Sequence, residues 1–366
     1  MEKRLKYQDL YEHLKENILS GVYQPGEKIP SENELSAHFE ISRQTVRKAL
    51  ELLQDDGYLY AVHGRGTFCA QGWGKRTPSG NIAVVTTYLS DYIFPRVIKG
   101  IDEVLTENGY SILLKNTGNS RTREQQILEE LLKKNIDGLI IEPSKSQIFC
   151  KNKSLYDRLK EVGIPYVFIQ GIYPQMEDCP HIMLNDCLGE YLLTKHLTDL
   201  GHLKILGVFK ADDKQGQQRH KGYVQALQEA GIAYDPDLVV WFYTEDRKTH
   251  PYEKVKQLCM GKKPLPFDAI VCYNDQVAQR VLEAIEESGL SCPKDIAVTG
   301  YDDSYLAQNG RIPLTTATHP QEKLGALAAE MLLSLIRKNK EETVPTEILL
   351  EPELVIRKST DNEKNF

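Results

Sequence analysis

The segment from Lys28 to Leu50 constrains this chain more than any other. It reads as a short helix, a tight turn and a second helix. Ser31 followed by Glu34 predicts a capping box for the first helix, which ends near Phe39. Ser42 caps the second, which stops at Gly57. On that second helix Val46, Ala49, Leu50 and Leu53 recur at helical spacing and predict a core-facing side. Arg43, Gln44, Arg47 and Lys48 lie away from it, with Arg43 and Arg47 nearly above one another. Cationic and amide groups at a helix N-terminus suit both phosphate contact and the reading of base edges in a major groove. A solvated face is the usual explanation for such residues, and here the context argues against it. Tyr7, Leu10, Tyr11, Leu14 and Ile18 predict an amphipathic helix upstream that Gly21 ends. Downstream, residues 58–69 read as strand, glycine-rich turn and strand, with His63-Gly64-Arg65-Gly66 at the tip. Three helices and a hairpin predict a winged helix. Glycines at the tip let the backbone approach a sugar-phosphate wall, and His63 or Arg65 can enter the minor groove.

At 366 residues the chain has room for two or three domains. Its net charge of −7 is at odds with a nucleic-acid partner until the charges are placed. Between Ile41 and Arg76 there are six basic residues (Arg43, Arg47, Lys48, Arg65, Lys75, Arg76) against three acidic ones (Glu51, Asp55, Asp56), so the acidic surplus lies elsewhere. The seven cysteines are scattered without a Cys-x-x-Cys pair, which points away from a zinc knuckle or redox dithiol and toward a reducing compartment. No leader sequence precedes the first helix and no apolar run of about 18 residues occurs, so the expectation is a cytoplasmic protein without a membrane partner. No metal-ligand spacing or nucleophile motif is found, so no cofactor, metal or catalytic residue is expected.

Residues 71–80 are rich in Gly, Pro and polar groups without hydrophobic period, as in a linker. After them strands and helices alternate to about residue 300. Near-continuous apolar strands joined by helices imply parallel sheets covered on both faces, here an α/β architecture with room for two lobes. Three clusters fall where strands should end: Arg219 at the start of a helix, Tyr273-Asn274-Asp275, and Tyr301-Asp302-Asp303. In open parallel sheets ligands bind outside the carboxyl ends of the strands. Arginine, asparagine and aspartate together can read hydroxyl groups. Asn-Asp after a strand is also a common helix cap, and one such cluster alone carries little. Tyr92, Phe94 and Trp241 offer flat faces for a sugar ring.

Residues 5–70 resemble the winged-helix domain of the GntR family of bacterial transcription regulators. The matching stretches are Gly21 to Leu35, Ser42-Arg-x-Thr-Val-Arg-x-Ala-Leu, Gly57-Tyr-Leu and Gly64-x-Gly-Thr-Phe. The resemblance implies DNA contacts from Glu32 and Asn33, from Ser42, Arg43, Gln44, Thr45 and Arg47, and from His63 and Gly64 in the wing, to which the reading of the hairpin tip adds Arg65. A capping role for Glu32 is nearly as well supported.

Residues 80–358 resemble the effector domain of the LacI/GalR family, itself similar to periplasmic sugar-binding proteins. Asp137-Gly-Leu-Ile-Ile, Asn274-Asp-Gln-Val-Ala and Asp295 to Asp303 carry this. It maps effector contacts onto Arg219, Asn274, Asp302 and His319, with Tyr92 and Glu142 added at the cleft, and leaves Gln170 in place of a frequent aspartate. Residues 86–95, 141–146 and 209–216 resemble arabinose-responsive repressors of Gram-positive bacteria more closely, which implies L-arabinose as effector. The expected organisation is a winged-helix domain (1–71), a linker (72–80), a two-lobed periplasmic-binding-protein-like α/β effector and dimerisation domain (81–358) and a frayed tail (359–366). The expected partners are an inverted-repeat operator in double-stranded DNA, a small sugar and a second copy of the chain. A regulator of another sugar or sugar phosphate is the alternative. A sugar-active enzyme using Glu142, Asp186, Asp302 or Asp303 as an acid/base pair is more remote.

Overall fold

The computed structural model of the chain describes residues 6–70, 78–89, 92–261, 264–337 and 345–361. It divides into two compact units, Met1–Pro78 and Ser79–Phe366.

The first unit is built from α1 (Lys6–Leu19), α2 (Glu32–His38), α3 (Arg43–Asp55) and the antiparallel hairpin β1 (Leu59–Val62) and β2 (Gly66–Cys69). The Ser31–Glu34 capping box forms, and the Ser42 hydroxyl accepts from the Thr45 amide at the start of α3. Between these helices Glu40 adopts a left-handed φ of 51°, which makes the turn tight. Leu10, Leu14 and Ile18 of α1 pack on Leu35 and on Val46, Ala49, Leu50 and Leu53 of α3. The apolar side read from the sequence is therefore the buried one, and Arg43, Gln44, Arg47 and Lys48 are left to solvent.

The second unit has two lobes. Lobe 1 carries a six-stranded parallel sheet. Its strands are β3 (Asn81–Thr86), β4 (Ser111–Asn116), β5 (Gly138–Ile141), β6 (Tyr166–Ile169), β7 (His181–Leu184) and β13 (Glu347–Leu350), in the order β13-β7-β6-β5-β3-β4. Helices α4 (Phe94–Glu107) and α12 (Gln321–Arg337) cover one face, with Ile82 and Val84 of β3 turned toward them. Helices α5 (Arg121–Lys133) and α6 (Lys153–Glu161) cover the other, with Ala83 and Val85 turned that way. Burial on both faces explains why these strands lack polar alternation.

Lobe 2 repeats the plan on four parallel strands, β8 (Ile205–Lys210), β9 (Val239–Phe242), β10 (Ala269–Cys272) and β11 (Ala297–Thr299), in the order β11-β10-β8-β9. Helices α7 (Asp186–Asp199) and α8 (Lys214–Glu229) pack on one face; α9 (His250–Cys259) and α10 (Asp275–Glu287) pack on the other, followed by the short α11 (Tyr305–Asn309). The strands β12 (Thr316–Ala317) and β14 (Leu354–Val355) pair beside the chain crossings between lobes.

Two sequence expectations are corrected here. The linker was read as 72–80, but Ser79 and Gly80 belong to the second unit. Their amides, at 2.8–3.0 Å, and the Ser79 hydroxyl all donate to the Asp137 carboxylate. Residues 71–77 lie outside the described residues. The tail is not frayed from 359: Ser359 and Thr360 are buried. The Ser359 hydroxyl donates to the Val298 carbonyl at 2.5 Å, and Thr360 Oγ1 lies 2.7 Å from Thr315 Oγ1 and 2.9 Å from His196 Nε2. Polar side chains are buried when every hydroxyl finds a partner, and pattern alone does not reveal that. Lys48 is exposed, as expected, and its ammonium sits 4.1 Å from the centre of the Tyr7 ring.

Candidate functional site

In the winged unit, Asn33, Ser42, Arg43, Gln44 and Arg47 are exposed, as are His63, Gly64 and Arg65, while Glu32 and Thr45 are half-buried. Residues 63–65 form a three-residue loop closed by the Arg65 amide on the Val62 carbonyl at 3.0 Å. Gly64 takes φ 75° and Gly66 φ 115°, a conformation that disfavours any side chain. A Cβ on Gly64 would meet nothing within 4 Å, so the tip presents bare backbone. Glu32 does not cap α2, since Ser31 does. Its carboxylate instead takes both the Nε and Nη2 of Arg47 at 3.2 and 3.0 Å. One carboxylate therefore fixes the direction of the Arg47 fork.

In the second unit, the carboxyl ends of both sheets converge on a cleft between the lobes. Five of the six described non-glycine residues with positive φ lie there: Asn119, Lys145, Gln170, Asp302 and Asp303. Such backbone strain concentrates at functional sites. Thr87, Glu142, Ser146 and Gly171 of lobe 1 face Lys210, Asp213 and Gln215 of lobe 2 across a narrow gap of about 10 Å³, room for about one water between the closed lobes. Glu142 accepts from the Thr87 amide at 2.7 Å and its hydroxyl at 2.5 Å. Burial pushes the Glu142 carboxyl up to about 7, against the pull of the Thr87 hydrogen bonds. The Lys210 ammonium is 2.8 Å from Asp213, and the Tyr273 hydroxyl donates to the same Asp213 oxygen at 2.8 Å.

Tyr273 links this gap to the Arg219 cluster. The guanidinium lies between the rings of Tyr301 and Tyr273, at 3.6 and 4.7 Å from their centres. It donates to Asp186 at 2.8 Å, to the Tyr273 carbonyl and to Asp302 at 3.4 Å. The other Asp302 oxygen accepts from the Tyr92 hydroxyl at 2.7 Å, which brings lobe 1 onto lobe 2. Burial raises Asp186 to about 6 despite Arg219.

Of the predicted effector residues, Arg219, Asp302 and Tyr92 are joined by hydrogen bonds, while Glu142 is held separately by Thr87. Arg219 and Asp302, both expected to contact the effector, contact each other; a buried cation and carboxylate satisfy one another more cheaply than either stands alone. Asn274 spends its side-chain oxygen capping α10 on the Val277 amide at 3.0 Å, the bland role weighed for it. His319 is buried with Nδ1 unpartnered, and burial lowers its basicity. Gln170 is buried with Nε2 unpartnered. Tyr92 reaches the site by its hydroxyl, whereas Phe94 is buried and Trp241 packs against His220 and Phe209 on the outer layer of lobe 2. Thr87, Lys210, Asp213 and Gln215 were missed. The sequence signal for Lys210 and Asp213 is a Lys-x-Asp-Asp at the end of β8.

Residues 6–69 match the bacterial regulatory protein family GntR, and residues 194–360 match the periplasmic binding protein-like domain. An arabinose metabolism transcriptional repressor of Halalkalibacterium halodurans is 40% identical, covering 98% of each chain. One from Geobacillus stearothermophilus is also 40% identical, covering 98% of this chain and 99% of its own. The crystal structure of the transcription regulator CcpA of Lactococcus lactis is 26% identical with a TM-score of 0.67, covering 78% of this chain and all of that one. The chain belongs to the family of the arabinose metabolism transcriptional repressors, in which a GntR-type winged helix precedes a LacI-like periplasmic-binding-protein domain.

Proposed function

We propose that this repressor holds an inverted-repeat operator through its winged unit, as a homodimer in the bacterial cytoplasm, and that L-arabinose in the cleft releases it. The observation that carries the sugar half is a set of buried polar atoms around the cleft without hydrogen-bond partners: Tyr88 Oη, Gln170 Nε2, Gln215 Oε1 and His319 Nδ1. Each such atom costs about 1–3 kcal/mol if left unpaired, and several together favour a guest rich in donors and acceptors. The cleft's charges favour a neutral guest. Lys210 is engaged by Asp212 and Asp213, and Arg219 by Asp186 and Asp302. Neither cation is left over for a phosphate, which argues against the sugar-phosphate alternative. The relatives' role in arabinose metabolism supports L-arabinose among neutral sugars.

For DNA, Arg43, Gln44 and Arg47 present donors for base edges, while Asn33, Ser42, Thr45 and the wing residues His63, Gly64 and Arg65 contact the backbone and minor groove. Glu32 acts through Arg47. Calorimetry with L-arabinose, D-ribose, D-xylose and their phosphates, paired with operator gel shifts, tests this reading. Heat from a sugar phosphate and none from L-arabinose would overturn it.

A further inference from the structure

The two lobes are also joined at the rim of this gap. Lys145 of lobe 1 reaches Glu245 at 2.6 Å and Asp212 at 3.4 Å in lobe 2. Asn119 of lobe 1 donates to the Thr244 hydroxyl of lobe 2 at 2.6 Å, and accepts from the Lys145 amide at 2.7 Å. Lys214 of lobe 2 reaches Glu177 of lobe 1 at 2.7 Å, and its amide donates to Ser146 at 3.1 Å. Asn119 and Lys145 both sit at positive φ, 55° and 49°, so their backbones hold strained conformations that aim them across the gap.

The loop that carries Lys145 and Ser146 is held from below by Glu124 of α5. This carboxylate is fully buried and has no cation within ion-pair distance among the described residues. It accepts instead from the Ser144 amide at 2.7 Å, from the Tyr156 and Tyr173 hydroxyls at 2.9 Å and from Asn152 at 3.3 Å. Tyr173 also donates to the Ser144 carbonyl at 2.9 Å, and the Ser144 hydroxyl lies 3.0 Å from that of Thr117, which in turn accepts the Asn119 amide at 3.2 Å. One buried side chain thus positions the loops that carry Lys145 and Asn119.

We infer that Lys145, with Glu245 and Asp212, is an electrostatic latch that sets effector affinity by stabilising the closed arrangement of the lobes without lining the gap itself, and that Glu124 is its positioning residue. The inference rests on the cleft being the effector site. It has a signature that packing lacks. The affinity for a neutral sugar has no reason to follow ionic strength through direct contacts. A latch of partly exposed ion pairs weakens as salt screens it, and a ligand that needs the closed arrangement binds less tightly in proportion.

The test uses the full chain and L-arabinose, titrated calorimetrically from low to high NaCl. Wild type loses affinity as salt rises. Lys145→Gln and Glu245→Gln each bind roughly three- to fivefold more weakly at low salt, as expected for an ion pair at this exposure, and lose most of the salt dependence. Lys145→Arg restores both. Operator binding without sugar is unchanged in all three. Sugar binding that is flat in salt for wild type, with unaltered affinity in Lys145→Gln, overturns the latch and leaves the effector site standing. A second readout needs no sugar: carbodiimide joins touching amine and carboxyl groups directly, and mass spectrometry reads a Lys145–Glu245 crosslink. Its absence overturns the latch. Its presence in a protein that binds no pentose supports the latch and refutes the pentose.

Discussion

Glu32 and Arg47 form a two-bond clamp across the turn between α2 and α3, with the carboxylate on Nε at 3.2 Å and Nη2 at 3.0 Å. The clamp engages Nε and Nη2 of an exposed arginine, so the geometry that restrains the guanidinium also orients it. Glu32→Ala should therefore separate affinity from specificity. Random-sequence DNA binds more tightly, because a negative charge has left the face, while the preference for operator over random sequence falls. Competition gel shifts with operator and scrambled duplexes measure both. An unchanged preference would show that the clamp plays no part in reading bases.

Helices α7 and α8 approach so closely that a Cβ on Gly222 would lie 2.0 Å from the Cys187 carbonyl oxygen and 2.8 Å from the Tyr191 nitrogen. Backbone cannot yield as a side-chain tip can. Gly222→Ala must push the helices apart, at a cost of about 1–3 kcal/mol for an overpacked contact. The same shift stretches the bond from Arg219 of α8 to Asp186 of α7. The expected result is a lower thermal midpoint together with weakened L-arabinose binding, and operator binding intact in the cold. A variant with wild-type sugar affinity would mean that the two helices can part without disturbing Arg219.

Stability should depend on pH through Glu190. Burial lifts its carboxyl from 4.5 to about 8, against Arg219 and the Thr194 hydroxyl. The folded chain then keeps a proton that the unfolded chain gives up above about pH 4.5, so the contribution is full below that value and lost as pH rises toward about 8. Glu190→Gln imitates the protonated form and has nothing to lose. Thermal scans should place the variant near wild type at about pH 5 and several degrees above it at about pH 8. Parallel curves across that range would show that Glu190 is ionised in the folded chain.

The winged unit was legible almost residue by residue because its signals are local. Ser31 and Glu34 are three apart, Val46 to Leu53 span two turns, and the hairpin closes over three residues. The doubly covered sheets were legible from strands without polar alternation. Arg219 and Asp302 could be picked out because parallel strands send their carboxyl ends to one side. Their direct contact could not, since it joins residues 83 apart whose approach depends on the Tyr301 and Tyr273 rings on either side of the guanidinium. Lys210 and Asp213 were passed over for a similar reason. A lysine and two aspartates in four residues look like a solvated turn, and what removes them from water is the opposite lobe. Trp241 failed in the other direction, because an aromatic on a strand was offered to the cleft when the alternation of β9 turns it outward onto His220.

Asp302 joins both lobes, with one carboxylate oxygen on Arg219 of lobe 2 and the other on Tyr92 of lobe 1. A sugar that enters between them must replace these bonds with its own hydroxyls, and it is bound only if the exchange is favourable. Asp302→Asn tests this cleanly. Asparagine tolerates the φ of 98° held there better than alanine does, so the backbone turn survives. Arg219 keeps Asp186 as counter-ion. What is lost is one charge-assisted acceptor for guanidinium and sugar together, worth about 1.5–3 kcal/mol, or roughly 10- to 150-fold in sugar affinity. Operator affinity without sugar should not change, and the variant should behave as a super-repressor. Because coupling between two ligands is reciprocal, operator DNA must weaken L-arabinose binding to wild type by the same factor that L-arabinose weakens operator binding, typically about 5- to 150-fold. Titrating L-arabinose into operator-bound wild type and variant decides it. Equal release from both would remove Asp302 from the effector site, and tighter operator binding in the presence of sugar would make L-arabinose a co-repressor.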